Sequence, residues 1–210
     1  NKYKPYTKEQ TEKLLIKMLK IVPEYCRVMR IMREIPPVYL VAGTTRIDLR
    51  RDVEFFLRKN KIKLKEIRFR EIGFNLRDKL PKKSINQNLK LKISSYKASQ
   101  GREYFLQFVI KDNILFGLLR LRIKGNKNNK KAFVRELHVY GKAVNIGKKD
   151  ENSTQHKGLG KLLMKKAEEI IKKSGIKKIA VISGVGVREY YRKLNYKLEG
   201  GYMTKEIKEL

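Results

Sequence analysis

One change of period along the chain limits the folds open to it. Between residues 89 and 140 the apolar positions keep strand spacing: Leu89, Leu91 and Ile93 alternate with polar residues, and 133–140 reads as a further strand. Two apolar runs, 105–110 and 114–123, meet at Asp112-Asn113, a pair suited to a hairpin turn. After residue 158 the spacing becomes helical. Leu159, Leu162, Leu163, Ala167, Ile170 and Ile171 share one face, and Gly175 marks the end of that helix. A short buried strand at 179–183, a Gly184-Val185-Gly186 turn, a helix near 188–194 and a last strand near 196–203 follow. Strands first, then helix and strand in alternation, predict an α/β chain with a mixed sheet.

The front of the chain reads differently. Thr7 and Gln10 form a capping box, Leu14, Leu15, Met18, Leu19 and Val22 share a helical face, and Pro23 closes the helix. Arg27, Arg30 and Arg33 follow at intervals of three, matching neither a strand nor a clean helical stripe. Residues 38–42 read as a buried strand and 49–57 as a short helix. Ile62, Leu64, Ile67 and Phe69 alternate with Lys and Arg, which predicts a strand with one wet face. The polar stretch 76–88, with Pro81 and a lysine pair, is the expected boundary between a domain at 1–75 and one at 76–210.

Charge narrows the partners. The chain of 210 residues has 52 Lys and Arg against 21 Asp and Glu, a formal net charge of +31. That excess favours a polyanion, nucleic acid first. Adaptation to heat also enriches Lys but normally brings Glu with it, and Glu has not kept pace. A membrane partner is not expected, because no stretch approaches the ~20 apolar residues of a span. Cys26 is the only cysteine, so this chain alone holds no internal disulfide, Cys-based zinc site or iron–sulfur cluster, and no metal is expected on it. With no partner base visible, Cys26 reads as a small packed residue.

The sharpest candidate site is Gln155-His156-Lys157-Gly158-Leu159-Gly160-Lys161, after a loop and opening a helix. Glycines let the backbone approach a ligand, and the unpaired N–H groups of a first helical turn favour an anion such as a pyrophosphate. Neither the Walker nor the dinucleotide-binding spacing is present. A bare flexible helix entrance fits the local residues equally well.

Gln-x-x-Gly-x-Gly at a helix start, with a strand before it and helix, strand, helix and strand after it, resembles the GNAT acyltransferase family. That resemblance implies acetyl-CoA as cofactor. It implies pyrophosphate contacts from Gln155, Gly158, Leu159, Gly160 and Lys161, and backbone contacts to the pantetheine arm from Glu136, Leu137, His138 and Val139. It also implies Tyr191 as general acid, four residues before the position of a usual Gly. Asn195 stands there, and Asn tolerates positive φ nearly as well. Tyr190 is expected in the core. Glu136 fits a general base and a solvated strand residue equally, and His138 is expected to pack beside its neighbours.

Longer runs make the resemblance narrower. Residues 136–141, 155–164 and 178–194, with 29–36 and 67–73 at the front, are similar to the Elongator family of tRNA-modifying enzymes. That family joins a radical-SAM domain to a GNAT domain. The similarity implies residues 1–75 as the end of a radical-SAM α/β barrel domain facing tRNA through Arg27, Arg30 and Arg33. It implies acetyl-CoA-dependent carboxymethylation at C5 of the tRNA wobble uridine, in the cytoplasm, with other Elongator-like subunits or self-association as possible assemblies. S-adenosylmethionine and an iron–sulfur cluster are expected only in the full-length protein, and this chain resembles an N-terminally truncated form. Two rivals remain: a lysine or histone N-acetyltransferase on the same fold, and an RNA-binding module with a degenerate acyltransferase fold.

Overall fold

The computed structural model describes residues 4–32, 35–44, 48–75, 89–125, 129–140 and 158–207. The chain divides into two compact units, 1–70 and 71–210.

The first unit is built on two helices. α1 (Lys8–Ile21) starts at the capping box read from the sequence: the Thr7 hydroxyl accepts from Gln10 N at 3.2 Å, and Thr7 N donates to Gln10 Oε1 at 2.9 Å. α2 (Leu49–Lys59) follows, and Leu19, Val53, Leu57 and Leu64 form a small core. Two expected strands are absent. Pro37–Tyr39 is a 3-10 turn instead of a buried strand, with Val38 at 83% exposure. The alternating stretch from Ile62 ends in a short helix, α3 (Ile67–Arg70). The cause is Glu66. Its buried carboxylate accepts from Arg68 N and Phe69 N, both at 2.9 Å, which satisfies first-turn donors and bends the chain into a helix.

The second unit begins with a single helical turn, α4 (Ile72–Asn75), and among the described residues carries a seven-stranded sheet in the order β1-β2-β3-β4-β5-β7-β6. The strands are β1 (Lys90–Ala98), β2 (Gly101–Ile110), β3 (Ile114–Lys124), β4 (Lys131–Val139), β5 (Lys178–Val181), β6 (Lys197–Glu199) and β7 (Tyr202–Glu206). All neighbours are antiparallel except β4 and β5. The expected hairpin forms at Asp112 and Asn113, both with positive φ (63° and 62°). The single last strand read from the sequence is two, β6 and β7, turned by Gly200 and Gly201 at φ 52° and 84°. α5 (Leu159–Lys173) packs on one face of the sheet, and a short α6 (Arg188–Arg192) follows β5. Leu106, Leu119, Leu121, Val134, Leu163, Ala167 and Ile171 are at most marginally exposed and form the core between α5 and the sheet. The boundary stretch 76–88 lies outside the described residues.

Candidate acyl-donor site

The parallel pair β4–β5 opens into a wedge. Register runs from Ala132 with Ile179 to Val134 with Val181, and Ile182 N donates to Val134 O at 3.0 Å. Beyond that point β5 ends while β4 continues to Val139, with no strand beside it on that side among the described residues. Register against β3 also shifts here, where Arg120 faces Glu136 but Leu121 faces Val134. Arg135 is the extra residue of this bulge, and a bulge bends and twists its strand. Among the described residues, the backbone groups of 136–139 thus face no partner strand on that side.

The N-terminus of α5 lies at the same end. Gly158 caps the helix with φ 97°, and a Cβ there would meet nothing within 4 Å. Only a residue at ease in the left-handed region suits that position, and the space beside it is open. Leu162 N is bonded to Gly158 O at 2.9 Å, so the amides of Leu159, Gly160 and Lys161 precede the first helical bond and stay available to an anion. Gln155, His156 and Lys157 lie outside the described residues, as does Arg33.

Two tyrosines of α6 divide this neighbourhood in an unexpected way. Tyr191 is 6% exposed, packed edge-on against Tyr196 at 6.0 Å between ring centroids. Tyr190, expected in the core, is 38% exposed, and its hydroxyl lies against the first turn of α5. A five-residue helix has too few turns for phase to settle which ring is buried. Burial raises Tyr191 above the usual phenol range and pushes Tyr190 up to about 12, with a smaller contribution from Tyr191. Both stay neutral at physiological pH and remain proton donors. Asn195 does adopt positive φ, 67°.

Glu136 is held rather than free. Its carboxylate accepts from Arg120 Nε across the β3–β4 ladder, and His138 Nε2 lies 3.4 Å from its other oxygen. Burial pulls the Arg120 guanidinium down, but the hydrogen bond and charge of Glu136 outweigh it and leave Arg120 above its ordinary value. His138 is exposed and stacks on Tyr140 at 6.1 Å. Sequence reading missed Arg120; two arginines inside the apolar run of β3 were the available signal. One of them, Arg122, is 2.9 Å from buried Glu103, which Arg135 also reaches at 2.7 Å.

The described residues hold no group of three or more His, Cys, Asp or Glu placed to bind a metal, and no helix long and apolar enough to cross a membrane. With one cysteine, the chain's own residues do not fit an iron–sulfur cluster.

Comparison with known proteins agrees with the fold. Residues 76–196 match the Acetyltransferase (GNAT) family, and residues 1–56 match the Radical_SAM C-terminal domain. The chain is 39% identical to the tRNA uridine(34) acetyltransferase of Dehalococcoides mccartyi, over 98% of this chain and 46% of that protein. It is 40% identical to Elongator complex protein 3 of Schizosaccharomyces pombe, over 97% of this chain and 39% of that protein. The solved structure of the archaeal Methanocaldococcus infernus Elp3 with an N-terminal deletion superposes with a TM-score of 0.79 at 38% identity. It covers 96% of this chain and 49% of that one. The chain spans less than half the length of each of these relatives.

Proposed function

Since the chain belongs to the GNAT acetyltransferase family, we propose that its second unit binds acetyl-CoA and activates the thioester for a reaction on tRNA. The observation that carries this reading is the alignment of the wedge beside β4 with the N-terminus of α5. The cofactor supplies an acyl group on a thiolate leaving group. The amides of Leu159, Gly160 and Lys161 take its pyrophosphate, with Gln155 completing that loop. Glu136, Leu137, His138 and Val139 line the pantetheine slot and keep the arm extended. Tyr191, a neutral phenol at physiological pH, gives a proton or hydrogen bond to the departing sulfur.

The names of the relatives extend the proposal to the whole protein: acetyl-CoA-dependent modification of uridine 34 of tRNA, with residues 1–75 and Arg27, Arg30 and Arg33 facing the tRNA. S-adenosylmethionine, an iron–sulfur cluster and further Elongator-like subunits belong to that longer assembly, and a cytoplasmic location goes with it. In this chain the reading reduces to two activities, acetyl-CoA binding and tRNA-dependent thioester cleavage. A lysine N-acetyltransferase needs a free general base at the slot, and the pairing of Glu136 with Arg120 counts against it.

Calorimetry with acetyl-CoA, with and without tRNA, tests the proposal. Binding that disappears in Gly158→Val and thioester cleavage that requires tRNA are expected. No binding in the unmodified chain, or equal cleavage with a lysine peptide, overturns it.

A further inference from the structure

The last residues of β4 divide their side chains between two faces, as successive strand residues do. Leu137 stands opposite Leu119, in the core between α5 and the sheet. Val139 stands opposite Gly117, where an added Cβ would lie 3.6 Å from Val139 and 3.5 Å from Leu163 of α5. Leu137 and Val139 therefore belong to the α5 face. Glu136, His138 and Tyr140 belong to the other. Tyr140 continues the strand, since its N–H donates to Phe116 O at 2.7 Å.

On that other face two aromatic rings lie side by side. The ring centroids of His138 and Tyr140 are 6.1 Å apart, and the planes are within 12° of parallel. His138 Nε2 lies 3.4 Å from Glu136, yet 57% of the His138 side chain is exposed. The Glu136 carboxylate is paired with Arg120, so its charge is balanced against an incoming anionic chain.

The two faces suit different halves of a transfer reaction. Near Val139 the α5 face is filled by Gly160, Leu163 and the Tyr190 hydroxyl. The amides that suit a pyrophosphate open α5, so the adenine end of the donor follows them to that side. An acceptor reaches a thioester lying along β4 from the opposite face, the one that carries His138 and Tyr140. Enzymes that act on a base in a folded nucleic acid take it out of its stack. Aromatic side chains give back the stacking that the base loses. A chain with a net charge of +31 suits the phosphates on either side of that base.

We propose that His138 and Tyr140 form a stacking platform for the acceptor nucleobase, on the face of β4 opposite the pyrophosphate amides. The inference rests on the reading of the chain as a tRNA-modifying acyltransferase and adds the side chains that hold the acceptor.

The test uses the full chain and a tRNA with 5-bromouridine at the wobble position, which on irradiation crosslinks to aromatic side chains stacked on it. Crosslinks at His138 or Tyr140 are expected; crosslinks confined to other residues, or no tRNA binding, overturn the inference. His138→Leu should weaken tRNA binding about tenfold, and His138→Phe, which keeps a ring, should bind as the unmodified chain does. The slope of log K against log salt should be the same in both, because no phosphate contact is lost. A shallower slope, or equal loss in His138→Phe, overturns the platform. Tyr140→Leu should match His138→Leu, with melting temperature followed because Tyr140 packs on the core, and Tyr140→Phe should keep affinity. Tyr202→Leu removes an exposed ring tilted at 60° on Phe133 and should leave tRNA affinity as it was. Acetyl-CoA affinity should hold in Tyr140→Leu; its loss there with tRNA affinity retained makes the donor's adenine the occupant and overturns the inference. Failure of the unmodified chain to bind acetyl-CoA would defeat the acyltransferase reading alone, because the crosslink is read without acetyl-CoA.

Discussion

The Tyr190 hydroxyl stands so close to the first turn of α5 that a Cβ added at Gly160 would lie 2.6 Å from it. Glycine at 160 thus serves two neighbours, the phenol and any anion on the helix amides. The obstructing atom ends a half-buried ring that can swing aside, so Gly160→Ala should fold normally. The displaced ring should enter the slot near Val139, whose side chain is 3.7 Å from the same point. Acetyl-CoA affinity should fall about tenfold, equivalent to ~1.4 kcal/mol, and adding Tyr190→Phe should recover part of it. Calorimetry on the two variants checks this; undiminished binding in Gly160→Ala would show that the contact is incidental.

Tyr191→Phe removes a hydroxyl and keeps the ring that packs on Tyr196. Thioester turnover should drop by ~10²-fold, as for a lost proton donor, with acetyl-CoA affinity nearly unchanged. Tyr190→Phe is the comparison. If it abolishes turnover while Tyr191→Phe does not, the more exposed tyrosine is the donor and the assignment passes to it.

Alkaline pH should destabilise the second unit. Burial pushes Tyr190 up to about 12 and raises Tyr191; burial, with Glu168 second, raises Tyr196 still further. Unfolded phenols ionise near 10. Above that pH the unfolded chain binds fewer protons than the native one, so stability falls as pH rises. The tyrosine contribution is intact below pH ~10 and declines through ~12. Melting temperature against pH, followed with phenolate absorbance, should show late-ionising tyrosines appearing together with unfolding. Full ionisation of every tyrosine in a chain that stays folded would contradict it.

Glu66 is fully buried and accepts from Val28 N at 3.3 Å, from Arg68 N and Phe69 N, and from Arg50 Nη2 at 3.0 Å. Glu66→Ala leaves the amides of Val28, Arg68 and Phe69 and Arg50 Nη2 without this acceptor, while Arg50 keeps Glu54 and Val28 O, and should cost about 2–4 kcal/mol. Glu66→Gln should cost less. Hydrogen exchange should locate the loss in residues 1–70, with the sheet unit protected as before.

Much of the fold was legible because it rests on local chemistry. Thr7 and Gln10 cap a helix they belong to, Asp112 and Asn113 turn a hairpin they sit in, and the α5 face repeats every turn. The failures were also local in form. Val38 and its neighbours had strand composition but no partner strand among the described residues, and Ile62 to Phe69 had strand spacing but a carboxylate that caps a helix.

By itself, the sequence determined the first helix, the hairpin at Asp112 and Asn113, the glycine-opened helix and the excess of cations, since each depends on neighbouring residues or on their sum. The tertiary structure alone decided which residues meet across the sheet and between helices. Arg120 faces Glu136, Lys124 faces Lys131, and Tyr190 rather than Tyr191 reaches Gly160. Such contacts join positions 7 to 30 residues apart, and in the sheet a bulge or a shift of one residue in register would pair each side chain with another.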